Sequence, residues 1–95
     1  MRESEIEKAV VKWAVQNGWY TKKMKFIGVD GAPDRLFLRQ NSDDDRCVVF
    51  IEFKKTKGEP RLNQRRRANE MIKHGAHVYA VDSIDGGVSI LASFM

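Results

Sequence analysis

Two acidic residues lie at positions where an apolar strand ordinarily carries hydrophobic side chains. Asp34 directly precedes the stretch RLFLR, and Glu52 stands near the end of the stretch CVVFIEFKK. Lys54 follows Glu52 after one intervening residue, so the alternation of side chains along a strand places both on one face. Two carboxylates and an ammonium group suit a hard divalent ion such as Mg²⁺, which needs only one or two carboxylates. The residue types therefore indicate metal-assisted chemistry on a phosphate ester, with Lys54 placed to hold an attacking water or to contact the phosphate.

A hairpin would bring these two acids together. The sequence predicts two apolar strands with a polar connection, namely residues 35–39, residues 46–54 and QNSDDD between them. In an antiparallel pair the start of one strand lies beside the end of the other, so Asp34 and Glu52 should meet at one edge of a sheet. The alternative is an ordinary Glu–Lys surface pair with a turn-capping Asp. The Glu-x-Lys spacing arises by chance too often to decide alone, whereas its combination with a hairpin and with Pro33-Asp34 is far less common.

The rest of the chain supplies the helices and strands of one α/β domain over residues 1–95. Apolar periodicity and turn residues predict, in order, a helix over 4–17, a strand over 20–26, the hairpin, a helix over 61–74 and a strand over 76–82. Residues 83–95 fit either a short helix or an edge strand. The order αβββαβ implies a mixed central sheet flanked by helices.

Composition limits the class of protein. The 95 residues are 42% hydrophobic and 32% charged, as in an ordinary soluble globular chain, and no apolar run approaches the length of a membrane span. Cys47 is the single cysteine, which excludes a disulfide framework and a cysteine-based zinc site. The beginning MRESEIEKAV is too acidic for a secretory signal, so we expect a cytoplasmic protein with no membrane partner. A chain this small would gain both core and binding surface by forming a homodimer.

Basic residues are concentrated in two segments of a chain whose net charge is +4. Between residues 54 and 67 seven basic residues stand against one acid, Glu59, and a second cluster lies at residues 22–25. A solvated surface is the ordinary explanation of such runs. The sequence RRR within a short helix nevertheless places like charges close together, which favours a nearby anion. We expect a phosphate-binding surface formed by Lys22, Lys23, Arg35, Lys55, Lys57, Arg61, Arg65, Arg66 and Arg67.

These motifs resemble the core of the PD-(D/E)xK nuclease superfamily, and 17 residues (35–51) separate PD from EFK. The fuller pattern resembles one branch of it, the VRR-NUC (virus-type replication-repair nuclease) domain, through GAPDRLFL, VVFIEFKK, a following Gly and LNQ. The resemblance spans nearly the whole chain and implies a restriction-endonuclease-like fold and a nuclease that uses Mg²⁺ or Mn²⁺. It further implies that Asp34, Glu52 and the backbone carbonyl of Phe53 bind the metal, and that Lys54 is the catalytic lysine.

Two more residues extend the match. Gln64 lies on the inward stripe of the second helix with Ala68, where a polar side chain is unusual unless it faces the site. The alternative is a Gln hydrogen-bonded to a nearby backbone carbonyl. The family also places an acid of the first helix near the metal, directly or through water, and counting back from Gly18 matches it to Glu7, with Glu3 as the weaker candidate. The alternative for both acids is interaction with the helix macrodipole.

The resemblance leads to a specific functional hypothesis. Stand-alone VRR-NUC domains of phages and bacteria are homodimers that act on branched DNA, which implies a Holliday (four-way) junction resolvase that leaves 5′-phosphates. A nuclease acting on flaps or on ordinary duplex DNA is the alternative within enzymes. A structure-specific DNA-binding module that has lost its activity is the alternative from another class, although Asp34, Glu52, Lys54 and Gln64 are all present. A plain interaction module would leave the basic helix unexplained.

Overall fold

The computed structural model describes residues 1–41 and 46–95 of the chain. Its elements are α1 (Glu3–Gln16), β1 (Tyr20–Lys23), β2 (Arg35–Gln40), β3 (Arg46–Phe53), α2 (Leu62–Lys73), β4 (His77–Val81) and α3 (Ile84–Ser93). The predicted α/β class and the order αβββαβ are confirmed, with one further helix at the end. The hairpin connection predicted at QNSDDD lies mostly outside the described residues, since 42–45 are not among them.

The four strands form one mixed sheet in the order β1-β2-β3-β4. The pairs β1–β2 and β2–β3 are antiparallel, and β3–β4 is parallel, with α2 as the connection between the two parallel strands. In the register of the hairpin, Arg35 pairs with Ile51. Asp34 therefore lies level with Glu52, as the sequence predicts.

The hydrophobic core lies on one face of the sheet, beneath α1 and α3. Alternation along β3 turns Val49, Ile51 and Phe53 to this face, and all three are fully buried. They join the buried apolar side chains of the other elements: Ile6, Val10, Ala14, Trp19, Phe37, Val81 and Leu91. Within the described part of the chain, no helix combines the length and the apolar character needed to cross a membrane.

Residues 83–95 form a helix, which decides between the two alternatives that the sequence leaves open. The Ser83 side chain accepts a hydrogen bond from the Gly86 amide at 2.9 Å and so caps the start of α3. Gly87 lets α3 approach α1 closely, because a Cβ atom there would lie 2.7 Å from Val10 Cγ2. This glycine contact and the buried Leu91 fix the helix over the core.

The opposite face of the sheet is only partly covered. Glu52 points to this face and contacts α2, and α2 packs over β4 beside it. Five outward apolar residues of β1, β2 and β3 pair with one another across the strands, and we call them the outer apolar face: Tyr20, Leu36, Leu38, Val48 and Phe50. Tyr20 is 56% exposed and Val48 is 44% exposed. An antiparallel sheet with one free face usually carries polar residues there, so this face lacks the composition expected in contact with water.

Strand β1 ends at Lys23, earlier than the predicted end at Phe26. Beyond Lys23 the chain leaves the sheet toward Gly28 and Gly31, whose φ angles of 78° and 99° are incompatible with a strand. One more bond, from the Met24 amide to the Asp34 carbonyl at 3.0 Å, closes the intervening segment. Residues 24–33 therefore form a loop that begins and ends at the edge of the sheet where Asp34 lies.

Candidate active site

Asp34 and Glu52 are brought together by the hairpin register and held there by the backbone. The amide of Phe53, the residue after Glu52, donates a hydrogen bond of 2.7 Å to Asp34 Oδ2. This bond fixes the Asp34 carboxylate against β3, while its second oxygen has no hydrogen bond to any described residue. The carboxylate pair is thus held by the pairing of β2 with β3 and by a direct bond to the β3 backbone.

Gln64 connects Glu52 to α2. Its Nε2 atom donates to Glu52 Oε1 at 2.8 Å, and its Oε1 atom accepts from the Arg61 amide at 2.8 Å. The second bond satisfies a backbone donor at the start of α2 and orients the amide so that its NH₂ group faces Glu52. Gln64 therefore lies at the site. It is also hydrogen-bonded to nearby backbone, but its partner is the Arg61 amide and not a backbone carbonyl, which is the alternative from sequence. Both Gln64 and Glu52 are buried.

The electrostatics of the site are dominated by Glu52. Burial, and after it the negative charge of Asp34, raise the pKa of Glu52 to about 7. The positive charges of Lys54 and Arg61 act in the opposite direction without cancelling this effect. Because burial is the larger cause, the ionised Glu52 carboxylate is poorly solvated, and a cation bound beside it would stabilise that ionised form.

The donors at this edge fit a hard divalent ion. In residues 1–41 and 46–95 no group of three or more His, Cys, Asp and Glu side chains is placed to hold a metal. Two adjacent carboxylates are enough for Mg²⁺ or Mn²⁺ when water and substrate oxygens complete the coordination. The absence of clustered thiol and imidazole donors from the described residues disfavours a structural zinc site.

The two acids of α1 that are candidates for the site, Glu7 and Glu3, lie in different surroundings. Glu7 forms ion pairs with Arg35 Nε at 2.6 Å and with Lys23 Nζ at 3.2 Å. Glu3 is exposed, makes no hydrogen bond or ion pair with any described residue, and has a charge that raises the pKa of Glu52. Metal binding by Glu7 stays a prediction, although it is the charge of Glu3 that acts on Glu52.

The basic residues separate into two groups. Arg65 is paired with Glu59 at 3.2 Å and Arg67 with Glu70 at 2.6 Å, so two arginines of RRR already have acidic neighbours within the chain. Lys23 and Arg35 are held by Glu7, and the Lys22 ammonium lies 5.5 Å from the centre of the Tyr20 ring. Within residues 54–67, the basic residues that are exposed and unpaired with a described acid are Lys55, Lys57, Arg61 and Arg66.

A cavity of about 180 Å³ opens beside Glu52, between α2 and the sheet. Its remaining lining is largely apolar and comes from several separate elements, including Pro33, Pro60, Ala68 and Val78. The cavity is large enough for several water molecules next to the carboxylate. The cavity cannot be predicted from the sequence, because these apolar residues lie far apart in the chain and no motif links them.

Known proteins resemble this chain in structure rather than in sequence. No family model and no curated protein matches it. A solved structure described as a VRR_NUC domain superposes with a TM-score of 0.82, covers 98% of this chain and 97% of its own, and is 23% identical. A second, described as a VRR_NUC domain protein, gives a TM-score of 0.81 over 99% of this chain and 88% of its own at 19% identity. The predicted fold is confirmed: the chain has the fold of VRR_NUC domains.

Proposed function

We propose that this chain, which has the fold of VRR_NUC domains, is a metal-dependent endodeoxyribonuclease of that type. The observation that carries the proposal is the juxtaposition of Asp34 and Glu52 on adjacent strands, with Gln64 hydrogen-bonded to Glu52. Lys54 directly follows the end of β3, where its amide donates to the Val81 carbonyl at 2.8 Å, and its positive charge acts on Glu52. The fold alone does not specify an activity, so the site residues decide it.

Each residue has a distinct task in the proposed reaction. Asp34 and Glu52 hold Mg²⁺ or Mn²⁺, together with the Phe53 carbonyl and an acid of α1. When bound, such an ion lowers the pKa of a water and stabilises the charge that develops on the phosphate. Lys54 contacts the phosphate or holds the attacking water, and Gln64 keeps the Glu52 carboxylate in one orientation. The water oxygen bonds to phosphorus as the bond to the 3′-oxygen breaks and that oxygen takes up a proton, which leaves a 5′-phosphate.

DNA is the proposed substrate because exposed cations border the carboxylate pair. Lys55 and Lys57 follow the catalytic lysine directly, and Arg61 is close enough to lower the pKa of Glu52. Contacts of this kind to backbone phosphates fix the register of the nucleic acid without reading its sequence. Five further basic residues would join this phosphate-binding surface by exchanging their contacts within the chain for contacts with phosphates: Arg65, Arg67, Lys22, Lys23 and Arg35.

We propose that the active form is a homodimer that cuts four-way junctions. The outer apolar face supports this part, because a two-fold pair of such faces would cover each other and remove the exposed apolar area from water. Two sites related by a two-fold axis match the symmetric incision of a two-fold junction. Activity on flaps or plain duplex is the alternative if the chain proves monomeric. An inactive DNA-binding module is disfavoured because the carboxylates, lysine and glutamine are not only present but adjacent.

The decisive experiment compares a synthetic four-way junction with a linear duplex of matching sequence, using purified protein with Mg²⁺ or Mn²⁺. We expect preferential nicking of the junction, and no cutting when the metal is chelated. Asp34→Ala should abolish cutting while leaving DNA binding intact, since it removes a ligand and not a phosphate contact. Equal cutting of both substrates would eliminate the junction assignment. Binding without cutting would instead establish the inactive module.

A further inference from the structure

The loop of residues 24–33 presents apolar side chains to solvent beside the site. Ile27 is 98% exposed and Val29 is 46% exposed. Single exposed apolar residues are common on protein surfaces and need no explanation. Here, however, two of them stand in one short loop that ends at Asp34.

This loop is anchored on both sides. The Met24 amide bonds to the Asp34 carbonyl at its base, and Arg67 Nε donates to the Asp30 carbonyl at 3.0 Å. Gly31 lies directly against α2, where a Cβ atom would be 2.4 Å from the Asn63 carbonyl oxygen. Three contacts therefore hold the loop backbone on both sides of Ile27. The exposed Ile27 side chain thus projects from a loop that is anchored to the rest of the fold.

The reach of the tip relative to the site is limited by chain geometry. Ile27 is three residues from Met24, a span of at most about 11 Å, and Met24 lies one strand spacing from Asp34, about 5 Å. Ile27 is therefore within about 16 Å of the carboxylate pair, which corresponds to about five nucleotides along one DNA strand. DNA placed for cleavage at Asp34 is therefore within reach of this tip.

The residues around the tip suit a nucleic acid. Lys22, Lys23 and Lys25 precede it, and Lys22 and Lys25 have no acidic partner among the described residues. Cations beside an apolar tip match the composition of a nucleic acid, in which phosphates lie next to apolar base faces. Apolar side chains inserted between bases are a known means of unstacking a base step and bending DNA.

We propose that Ile27, assisted by Val29, is a wedge that inserts between bases within about five nucleotides of the cleaved phosphate. The inference rests on the proposed function, because it assumes that DNA occupies the Asp34 site. A wedge would favour branch points, since bases there are already partly unstacked. Preference for branched DNA would then arise within a single chain and would not require a second copy.

The test uses a junction carrying 2-aminopurine, whose fluorescence rises when its stacking is lost, within five nucleotides of the cut. Asp34→Ala protein should raise the fluorescence on binding. The combined change Ile27→Ser and Val29→Ser in the same background should abolish the rise, and Ile27→Leu alone should preserve it. Val15→Ser is the matched control, because Val15 is 59% exposed yet lies twelve residues along α1 from Glu3, about 18 Å away. An equal rise with and without the two apolar residues would overturn the proposal.

Cleavage assays separate failure of the wedge from failure of the proposed function. In the otherwise unchanged chain, Ile27→Ser with Val29→Ser should lower junction cutting by about tenfold or more and leave the slower cutting of the matching linear duplex unchanged. Unchanged junction cutting would contradict the wedge alone. Absence of metal-dependent cutting by the unmodified chain would contradict the nuclease and leave the fluorescence test valid for a binding module. Thermal unfolding of each variant verifies that the loop changes have not disturbed the fold.

Discussion

The side-chain amide of Gln64 joins two elements at the site, donating to the Glu52 carboxylate at 2.8 Å while accepting from the Arg61 backbone at 2.8 Å. One residue thus provides a hydrogen-bond acceptor for the Arg61 amide at the start of α2 and orients the Glu52 carboxylate of β3. The start of the helix and the geometry of the site are therefore coupled. A substitution that changes the start of α2 should therefore alter the geometry of the site, and the reverse should also hold.

Gln64→Leu is expected to weaken metal binding and activity by about 10- to 100-fold, the usual effect of losing the partner that orients a metal ligand. The change also leaves the Arg61 amide without its acceptor, so the free energy of unfolding should fall by about 1 kcal/mol. Calorimetric titration with Mn²⁺ and thermal unfolding measure the two effects. Asn63→Leu, at an exposed position of the same helix that does not line the cavity beside Glu52, is the control. Full metal affinity in Gln64→Leu would contradict the coupling.

The acids of α1 should respond differently to neutralisation. Glu7→Gln removes the charge that pairs with the largely buried Arg35 side chain and with the exposed Lys23, so we expect the loss of the Arg35 pair to destabilise the fold by about 1–3 kcal/mol. Glu3→Gln removes no such contact and should reduce cutting and Mn²⁺ affinity with little change in stability. Parallel unfolding and cleavage measurements on both variants test this. If Glu7→Gln lost metal affinity at unchanged stability, the original match of Glu7 to the metal would be restored.

Stability without metal should decrease as the pH rises. Glu52 keeps its proton in the folded chain up to a pKa of about 7, above its ordinary value, whereas the unfolded chain loses that proton earlier. Between the two pKa values the folded state binds more protons, so the free energy of unfolding falls with pH, by no more than about 1.4 kcal/mol per pH unit. Chemical denaturation between pH 4 and 8 measures this slope.

Glu52→Gln is the control for that measurement, and it should flatten the profile in the same interval. Addition of Mg²⁺ should restore stability most strongly above pH 7, where the carboxylate is ionised and free of its proton. An identical slope in the unmodified and Glu52→Gln chains would show that other groups cause it.

The outer apolar face should determine the assembly state. We expect a mass in solution of twice 10.9 kDa, and Val48→Asp should reduce it to 10.9 kDa because a buried, unpaired charge would oppose association. Light scattering after size-exclusion chromatography provides the measurement. Val15→Asp, an exposed apolar position on α1, is the matched control. A monomeric mass for the unmodified chain would rule out the homodimer and favour the flap or duplex alternatives.

Local rules account for what the sequence predicts correctly. Alternation along a strand and antiparallel pairing suffice to place Asp34 beside Glu52, because both rules act within one hairpin. The inward position of Gln64 likewise follows from helical periodicity. Its two simultaneous hydrogen bonds do not, since they depend on the distance between α2 and the sheet.

Other features depend on packing that sequence patterns do not encode. Glu3 and Glu7 are four residues apart, one helical turn, so periodicity places them on the same flank and cannot say which lies closer to the sheet edge. Residues 83–95 combine two glycines with apolar residues, and the packing of Gly87 against Val10 and of Leu91 in the core favours the helix. The outer apolar face is equally hidden, because its exposure depends on how much of the sheet α2 covers.

The bond between the Phe53 amide and the Asp34 carboxylate has a spectroscopic consequence. A proton shared with a carboxylate is sensitive to the charge on that group, so the backbone ¹H–¹⁵N resonance of Phe53 should shift when Asp34 is protonated or engages a cation. Its neighbours in β3 bond to other strands and will respond less. One main-chain resonance in the interior of the protein can therefore follow occupancy of the carboxylate pair in real time, without DNA and without catalysis.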